Sequence, residues 1–260
     1  MNKELRILLT AIRFYTRIPC PEIKDYDPND LHKATRYFPF IGWLVGGLSF
    51  GVYALSTILF DHNIAVVISM LFGVLLTGAF HEDGLADVAD GFGGGWTKQK
   101  ILMIMKDSRV GAFGVISLIF LFLIKYASLV HLLPYSENHL VLFLFFVSYH
   151  SLARFTATTL IFTSIYSRED TSSKVKPIGK TYTFREVLGA SFFGCLPLVL
   201  LSCLHIKAAL VLLPLFFISV LAKRYFEKWI DGYTGDCLGA VEQIAECVCI
   251  LSYIILWKFM

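Results

Sequence analysis

This sequence is poor in charge. Charged residues make up 17% of the 260, and the net charge is only +3. Ordinary soluble domains carry roughly 25% charged residues. The scarcity excludes a disordered chain and an ordinary soluble globule, and so small a net charge gives no sign of a nucleic-acid partner. None of the six cysteines forms a C-x-x-C pair, so neither a disulfide-framed miniprotein nor a zinc site fits. Cys195, Cys203, Cys247 and Cys249 lie in apolar runs and read as small core residues. No Ser-His-Asp or Cys-His arrangement stands out. There is no internal repeat and no low-complexity linker.

Hydrophobic residues are abundant, at 56%, with a mean hydropathy of +0.66. A membrane helix needs about 20 mostly apolar residues. Seven such runs can be read, at 37–60, 64–80, 110–133, 139–166, 187–204, 206–222 and 238–257. The split between the fifth and sixth is the loosest boundary. Lys125 interrupts the third run, Arg154 lies inside the fourth, and Glu242 and Glu246 lie inside the seventh. The expected fold is an all-α, polytopic integral membrane bundle of about seven transmembrane helices, a single domain over 1–260.

The basic residues orient it. Segments 1–36, 81–109, 167–186 and 223–237 hold 19 of the 23 Lys and Arg, and the alternate loops hold almost none. Cytoplasmic loops collect Lys and Arg, so the N-terminus and all the large polar segments are expected to face the cytoplasm. Leu5, Leu8, Leu9, Ile12 and Tyr15 recur at helical spacing among charges. That pattern predicts an amphipathic helix within 1–36, on the membrane surface or against the bundle, and not a cleavable signal.

After the second run comes His81-Glu82-Asp83-Gly84-Leu85-Ala86-Asp87-Val88-Ala89-Asp90-Gly91. Asp83, Asp87 and Asp90 stand at i, i+4 and i+7, which places three carboxylates on one helix face. Like charges there repel, and a hard cation removes the penalty. Mg²⁺ takes oxygen ligands from a few carboxylates and substrate phosphates. Glu82 points off the stripe. A merely solvated acidic loop is the plain alternative, but ionisable groups at a span end in so uncharged a chain point to function.

Gly91-Phe92-Gly93-Gly94-Gly95 follows. Its glycines can take left-handed angles and let backbone N–H groups approach a phosphate, or serve as a hinge. It is not a P-loop, lacking Gly-Lys-Ser/Thr. In Lys106-Asp107-Ser108-Arg109, the two cations can neutralise a diphosphate and Asp107 can orient one of them or join the metal shell; ordinary juxtamembrane charge is the alternative. Arg13, Arg17 and Arg36 precede the first run, and Asp231 and Asp236 precede the last. Glu242 and Glu246, costly in lipid, should face the bundle interior, linked to a cation or to an Arg such as Arg154. Of the histidines, only His81 adjoins the acidic cluster. Together these residues suggest phosphoryl chemistry on a diphosphate.

Five blocks carry a resemblance to a known family. They are Phe14-Tyr15-Thr16-Arg17-Ile18-Pro19-Cys20-Pro21, Arg36-Tyr37-Phe38-Pro39-Phe40-Ile41-Gly42, the acidic stretch 81–91, Met105-Lys106-Asp107-Ser108-Arg109-Val110-Gly111-Ala112-Phe113-Gly114, and Gly232-Tyr233-Thr234-Gly235-Asp236-Cys237-Leu238-Gly239-Ala240. In this order they resemble the adenosylcobinamide-GDP ribazoletransferase, or cobalamin (5′-phosphate) synthase, family. Residues 167–230 are similar only in character.

The resemblance implies a Mg²⁺-dependent enzyme of the bacterial inner membrane. It would join adenosylcobinamide-GDP to α-ribazole, or its 5′-phosphate, and release GMP. A ribazole hydroxyl would attack the phosphorus bearing the cobinamide. Asp83, Asp87 and Asp90 would hold Mg²⁺, with Glu82 as supporting ligand or base and Lys106 and Arg109 on phosphate oxygens. Arg17, Gly93, Gly94, Asp107, Ser108, Asp236 and Glu242 would be substrate contacts. A homo-oligomer, or a complex with other cobalamin-assembly enzymes, would be compatible with this role.

Two other classes share some of these features. A CDP-alcohol phosphotransferase performs analogous chemistry with a D-G-x-x-A-R stretch, but here Asp87 follows Ala86. An ion-coupled transporter should show charges near mid-membrane and often an inverted repeat, whereas the acids here are expected at the cytoplasmic end.

Overall fold

A computed structural model describes residues 2–23, 27–136, 138–167 and 182–258. The basic residues Lys24, Arg168, Lys174, Lys176 and Lys180 lie outside the described residues. Among the described residues the regular structure is all helical, apart from one isolated parallel bridge between Tyr166 and Tyr233.

Helix α1 (Lys3–Tyr15) and the short α2 (Asn29–Ala34) precede α3 (Phe38–Ser56) and α4 (His62–Thr77). Helix α5 (Phe80–Gly94) carries the acidic stretch, and α6 (Lys98–Ile104) leads into α7 (Ala112–Leu132). The rest are α8 (His139–Thr163), α9 (Phe184–Leu204), α10 (Leu212–Ile230) and α11 (Gly235–Trp257). Six helical stretches are long and apolar enough to cross a membrane, and a seventh arises if α4 and α5 form one bent span. The expected runs are met within a few residues. The loosest one resolves as α9, then a 3-10 turn over Ile206–Val211, then α10, which extends to Ile230.

Polar side chains start these helices. Asp61 accepts N–H groups of α4, Asn138 those of α8, and Thr234 that of Cys237 at the head of α11. Such caps satisfy donors that have no partner inside the helix. Helix α8 is central, with 83% of its most apolar window buried. Helix α3 reaches it through Gly42 and Gly46: a Cβ at Gly42 would lie 2.6 Å from the Ser151 backbone, and one at Gly46 would lie 2.5 Å from the Phe146 carbonyl oxygen. Small residues let helix backbones approach where lipid gives no hydrophobic drive.

The second run does not simply leave the bilayer. Helices α4 and α5 meet at 86°. Gly78 (φ 69°) and Ala79 (φ 58°) are both left-handed, and the Ala79 N–H donates to the Val74 carbonyl at 2.9 Å while that of Gly78 reaches Leu75. This is a Schellman ending, which glycine permits at its left-handed position. The turn swings α5 across the end of the bundle, where Gly84 and Gly239 bring it onto α11. A Cβ at Gly84 would lie 2.9 Å from the Asp236 carbonyl oxygen, and one at Gly239 would lie 3.0 Å from that of His81.

The other polar segments gather at the same end. Buried side chains of α1, α2, α6 and the start of α11 share one apolar cluster, including Ile7, Tyr15, Leu31, Ile101, Met105, Tyr233 and Leu238. Helix α1 buries one face, as its amphipathic pattern predicts, and packs against the bundle.

Candidate functional site

The acidic stretch is helical, so Asp83, Asp87 and Asp90 do share a face. Their surroundings differ. Asp83 is exposed, and Asp87 and Asp90 are half-buried. The Asp90 carboxylate accepts the N–H of Gly111 at 2.6 Å and the N–H of Gly114 at 2.8 Å. These are the N-cap and first-turn donors of α7. An anion there satisfies donors and meets the positive end of the helix dipole. Asp90 thereby clamps the start of α7, and the loop 105–111 before it, against α5.

That clamp has a consequence for charge. The loop carries Lys106 and Arg109, both exposed, and Asp90 fixes its far end one turn beyond Asp87. Asp107 accepts from the Arg109 side chain at 2.6 Å and from its backbone N–H at 3.1 Å. Hydrogen bonds from the Arg109 side chain, then from its backbone, hold the Asp107 carboxyl down at about 2. Asp107 therefore orients Arg109, as the spacing suggested. Ser108, between them, is exposed.

The glycine stretch behaves otherwise than expected. Helix α5 continues to Gly94, and the only positive-φ glycines among the described residues are Gly78 and Gly232. Gly91 and Gly93 are small for packing. A Cβ at Gly91 would meet the Met105 side chain at 2.5 Å, and one at Gly93 would meet the Phe113 ring at 2.6 Å. Helical hydrogen bonding outcompetes the loop because α6 and α7 fill the space that side chains would take. Gly93 and Gly94 remain exposed beside Phe113 of α7 and Ile104 of α6.

Asp236 stands in the first turn of α11, half-buried, accepting from the Thr234 hydroxyl at 3.3 Å. Its backbone underlies Gly84, so it adjoins the acidic helix. Arg17 lies at the α4–α5 bend. Its N–H donates to the Leu76 carbonyl at 2.7 Å, and its guanidinium packs over Gly78. A cation at that C-terminal end is favourably placed.

Glu82 and Glu242 go elsewhere. Glu82 is buried on the inner side of α5 and accepts from Gln243 at 3.2 Å. Glu242 is fully buried, 2.7 Å from Arg154, and accepts from Gln243 at 2.8 Å. Glu246 meets Lys125 at 2.6 Å, His150 at 2.6 Å and Arg154 at 3.2 Å. The expected link between the two span-seven acids and Arg154 is thus present. Lys125, His150, Gln243 and His81 were not foreseen as its neighbours; only the interruption of an apolar run at Lys125 signalled one of them. They line a cavity of about 40 Å³ together with Ser49, Glu82 and Arg154. That is room for a few waters, and the Glu82 Oε2 and both His81 ring nitrogens have no hydrogen-bond partner there. Lys125, His150 and Glu246 sit near the middles of α7, α8 and α11. The expectation that the acids gather at one end therefore holds for Asp83, Asp87, Asp90 and Asp236 but not for Glu246, whose charge is compensated inside the bundle.

Among the described residues, no three His, Cys, Asp or Glu side chains are grouped to hold a metal ion by themselves. Mg²⁺ commonly binds through one or two carboxylates plus substrate phosphates and keeps several waters. Asp83 and Asp87, one turn apart on one face, fit that demand with substrate present. Glu82 is turned inward, and Asp90 already accepts two backbone donors.

Comparison with known proteins agrees with these blocks. The family model described as cobalamin-5-phosphate synthase matches residues 7–254. The chain is 42% identical to an adenosylcobinamide-GDP ribazoletransferase of Shewanella frigidimarina, over 96% of this chain and 94% of that protein. It is 43% identical to one of Leptospira interrogans, over 99% of this chain and 98% of that protein. No solved structure matches.

Proposed function

This chain belongs to the cobalamin-5-phosphate synthase family and is a transferase of cobalamin nucleotide-loop assembly; we propose that it works through a divalent-cation site on the outer face of α5. The substrates we assign are adenosylcobinamide-GDP and α-ribazole or its 5′-phosphate, with GMP as leaving group. The observation that supports the site is the Asp90 clamp, which holds the start of α7, and with it the end of the Lys106–Arg109 loop, against α5 one turn beyond Asp87. In this reading the two cations and the two carboxylates meet on the substrate diphosphate.

Asp83 and Asp87 would hold Mg²⁺, which when bound to the diphosphate supplies charge neutralisation for the departing phosphate. Lys106 binds phosphate oxygens as a point charge, and Arg109, held in orientation by Asp107, presents its planar fork to them. Asp236 lies across the Gly84 contact and is placed to receive a hydroxyl of the ribazole. In this reading that hydroxyl attacks the phosphorus bearing the cobinamide in line, its proton passing to the Asp236 carboxylate, as the P–O bond to GMP breaks on the opposite side. Glu82 and Glu242 act from behind, fixing α5 to α11 through Gln243. We assign the site to the cytoplasmic face of a bacterial inner membrane, on the basic excess of the segments gathered at this end.

The test is reconstitution. Purified protein receives adenosylcobinamide-GDP, α-ribazole 5′-phosphate and Mg²⁺, and GMP and corrinoid product are followed. Activity that vanishes with chelator and returns with Mg²⁺ is expected. Full activity in both Asp83→Asn and Asp87→Asn would remove the site while leaving the reaction standing.

A further inference from the structure

A second charged feature lies apart from α5. Helices α1 and α2 and the start of α9 enclose a groove of about 760 Å³. Four cations line it, Lys3, Lys33, Arg36 and Arg185, against two carboxylates, Glu4 and Glu186. Both carboxylates are engaged. Arg36 reaches Glu4 at 2.7 Å and Glu186 at 3.6 Å. Glu186 also accepts the backbone N–H of Thr183, closing the capping box of α9. Among the described residues the one ion pair of Lys33 is with Asp30, at 3.9 Å, which Arg6 already pairs with at 2.6 Å. The groove is therefore left cationic. Arg36 is nine-tenths buried, and its Nε has no hydrogen-bond partner.

The setting of the groove names the occupant. Helix α9 has 21 residues, about 31 Å of helix, which matches the roughly 30 Å hydrocarbon layer. Its first turn, at the groove, thus stands at headgroup depth. Only 28% of its apolar window is buried inside the protein. Phe184, Leu188, Phe192 and Val199 are all exposed and follow one another at helical spacing. They form an apolar stripe that starts at the groove and runs into the bilayer. A free anion would use the cations alone, whereas an anionic lipid uses both the cations and the stripe.

We propose that this groove is a headgroup site for an anionic phospholipid, with its phosphate among Lys3, Lys33 and Arg185 and an acyl chain along the exposed stripe of α9. Basic pockets at the ends of membrane helices hold acidic headgroups in this way. The site docks the N-terminal segment and α9 to the membrane surface independently of the reaction at α5.

The experiment uses the full-length protein in a neutral detergent, titrated with mixed micelles of phosphatidylglycerol or phosphatidylcholine and, separately, with inorganic phosphate. Thermal stability and bound lipid are measured. Phosphatidylglycerol is expected to bind and stabilise, and phosphatidylcholine to do so at least tenfold more weakly. Lys33→Gln with Arg185→Gln should lower affinity for phosphatidylglycerol by about 25-fold, at about fivefold per cation near the surface. Leu188→Ser should weaken it as well. Both variants should keep wild-type turnover in detergent, which establishes that they are folded. Equal binding of the two lipids, or an undiminished preference in the double variant, overturns the site. Inorganic phosphate reproducing the whole stabilisation would also overturn it, making the groove a site for a free phosphate.

Discussion

Asp90 gives the sharpest test of how the site is built. As a clamp it satisfies two backbone donors of α7; as a metal ligand it would act on Mg²⁺. Asp90→Ala leaves the N–H groups of Gly111 and Gly114 without acceptors. Gly114 is buried and Gly111 is half-buried, so water repairs the second more readily than the first. Hydrogen bonds to a charged group contribute about 1.5–3 kcal/mol each, and an orphaned buried donor costs about 1–3 kcal/mol. The loss should therefore be about 2–4 kcal/mol, or a Tm lower by roughly 5–15 °C for a chain of this size. Asp90→Asn keeps one acceptor oxygen and should lose about half as much. Because a Cβ at Gly114 would lie within 2.4 Å of the same carboxylate, Gly114→Ala should break the same clamp. The two losses should be strongly non-additive in a double-mutant cycle. Turnover should fall with the loop displaced, and the Mg²⁺ concentration giving half activity should stay where it is. Calorimetry or thermofluor in detergent, alongside a Mg²⁺ titration of activity, reads both. An Asp90→Ala protein with wild-type Tm and a tenfold higher Mg²⁺ requirement would refute the clamp and restore the ligand.

Three more predictions rest on other contacts. Lys125→Met strips Glu246 of its 2.6 Å partner inside the bundle, and breaking a buried pair costs about 3–5 kcal/mol; folded yield should collapse and recover in part in Lys125→Met with Glu246→Gln, and equal stability of the single variant would count against the network. Gly46→Leu pushes a side chain into the Phe146 carbonyl of α8, where overpacking costs about 1–3 kcal/mol or more, so thermal unfolding should move down; no shift would mean that α3 and α8 are not in backbone contact. For pH, the Asp107 carboxyl lies lower in the folded chain than its usual 3.8, at about 2. Its pairing with Arg109 is thus fully present above about pH 4 and is lost only as pH falls toward 2. Any acid limb of activity between pH 4 and 7 should keep its midpoint in Asp107→Asn, and a moved midpoint would contradict the pairing.

The spans were legible because each is written locally. Long runs with few or no Asp, Glu, Lys or Arg have one stable solution in a bilayer, and caps such as Asp61, Asn138 and Thr234 mark where they begin. The acidic face of α5 was legible for the same reason, since i, i+4, i+7 spacing is a property of one helix. What was not legible was whatever depends on a partner from elsewhere in the chain. Asp90 looked like its two neighbours, and only the arrival of α7's first turn, 21 residues away, separates it from them. The glycines of 91–95 have the composition of a phosphate loop, yet Met105, Ile101 and Phe113 occupy the volume their missing side chains leave, which selects helix over loop.

Glu246 illustrates the other side of this dependence. Alone in span seven it reads as an expense that function must justify. With Lys125 from α7, His150 and Arg154 from α8 and Gln243 one turn earlier, much of that expense is offset by packing three helices in one register. A helix sliding by one turn would strand a charge in hydrocarbon, so the network specifies how α7, α8 and α11 align. Glu82 extends this specification to α5 through Gln243. The placement of Asp83 and Asp87 on the outer side of that helix is therefore set from inside the bundle, by Gln243 and the charged side chains around it.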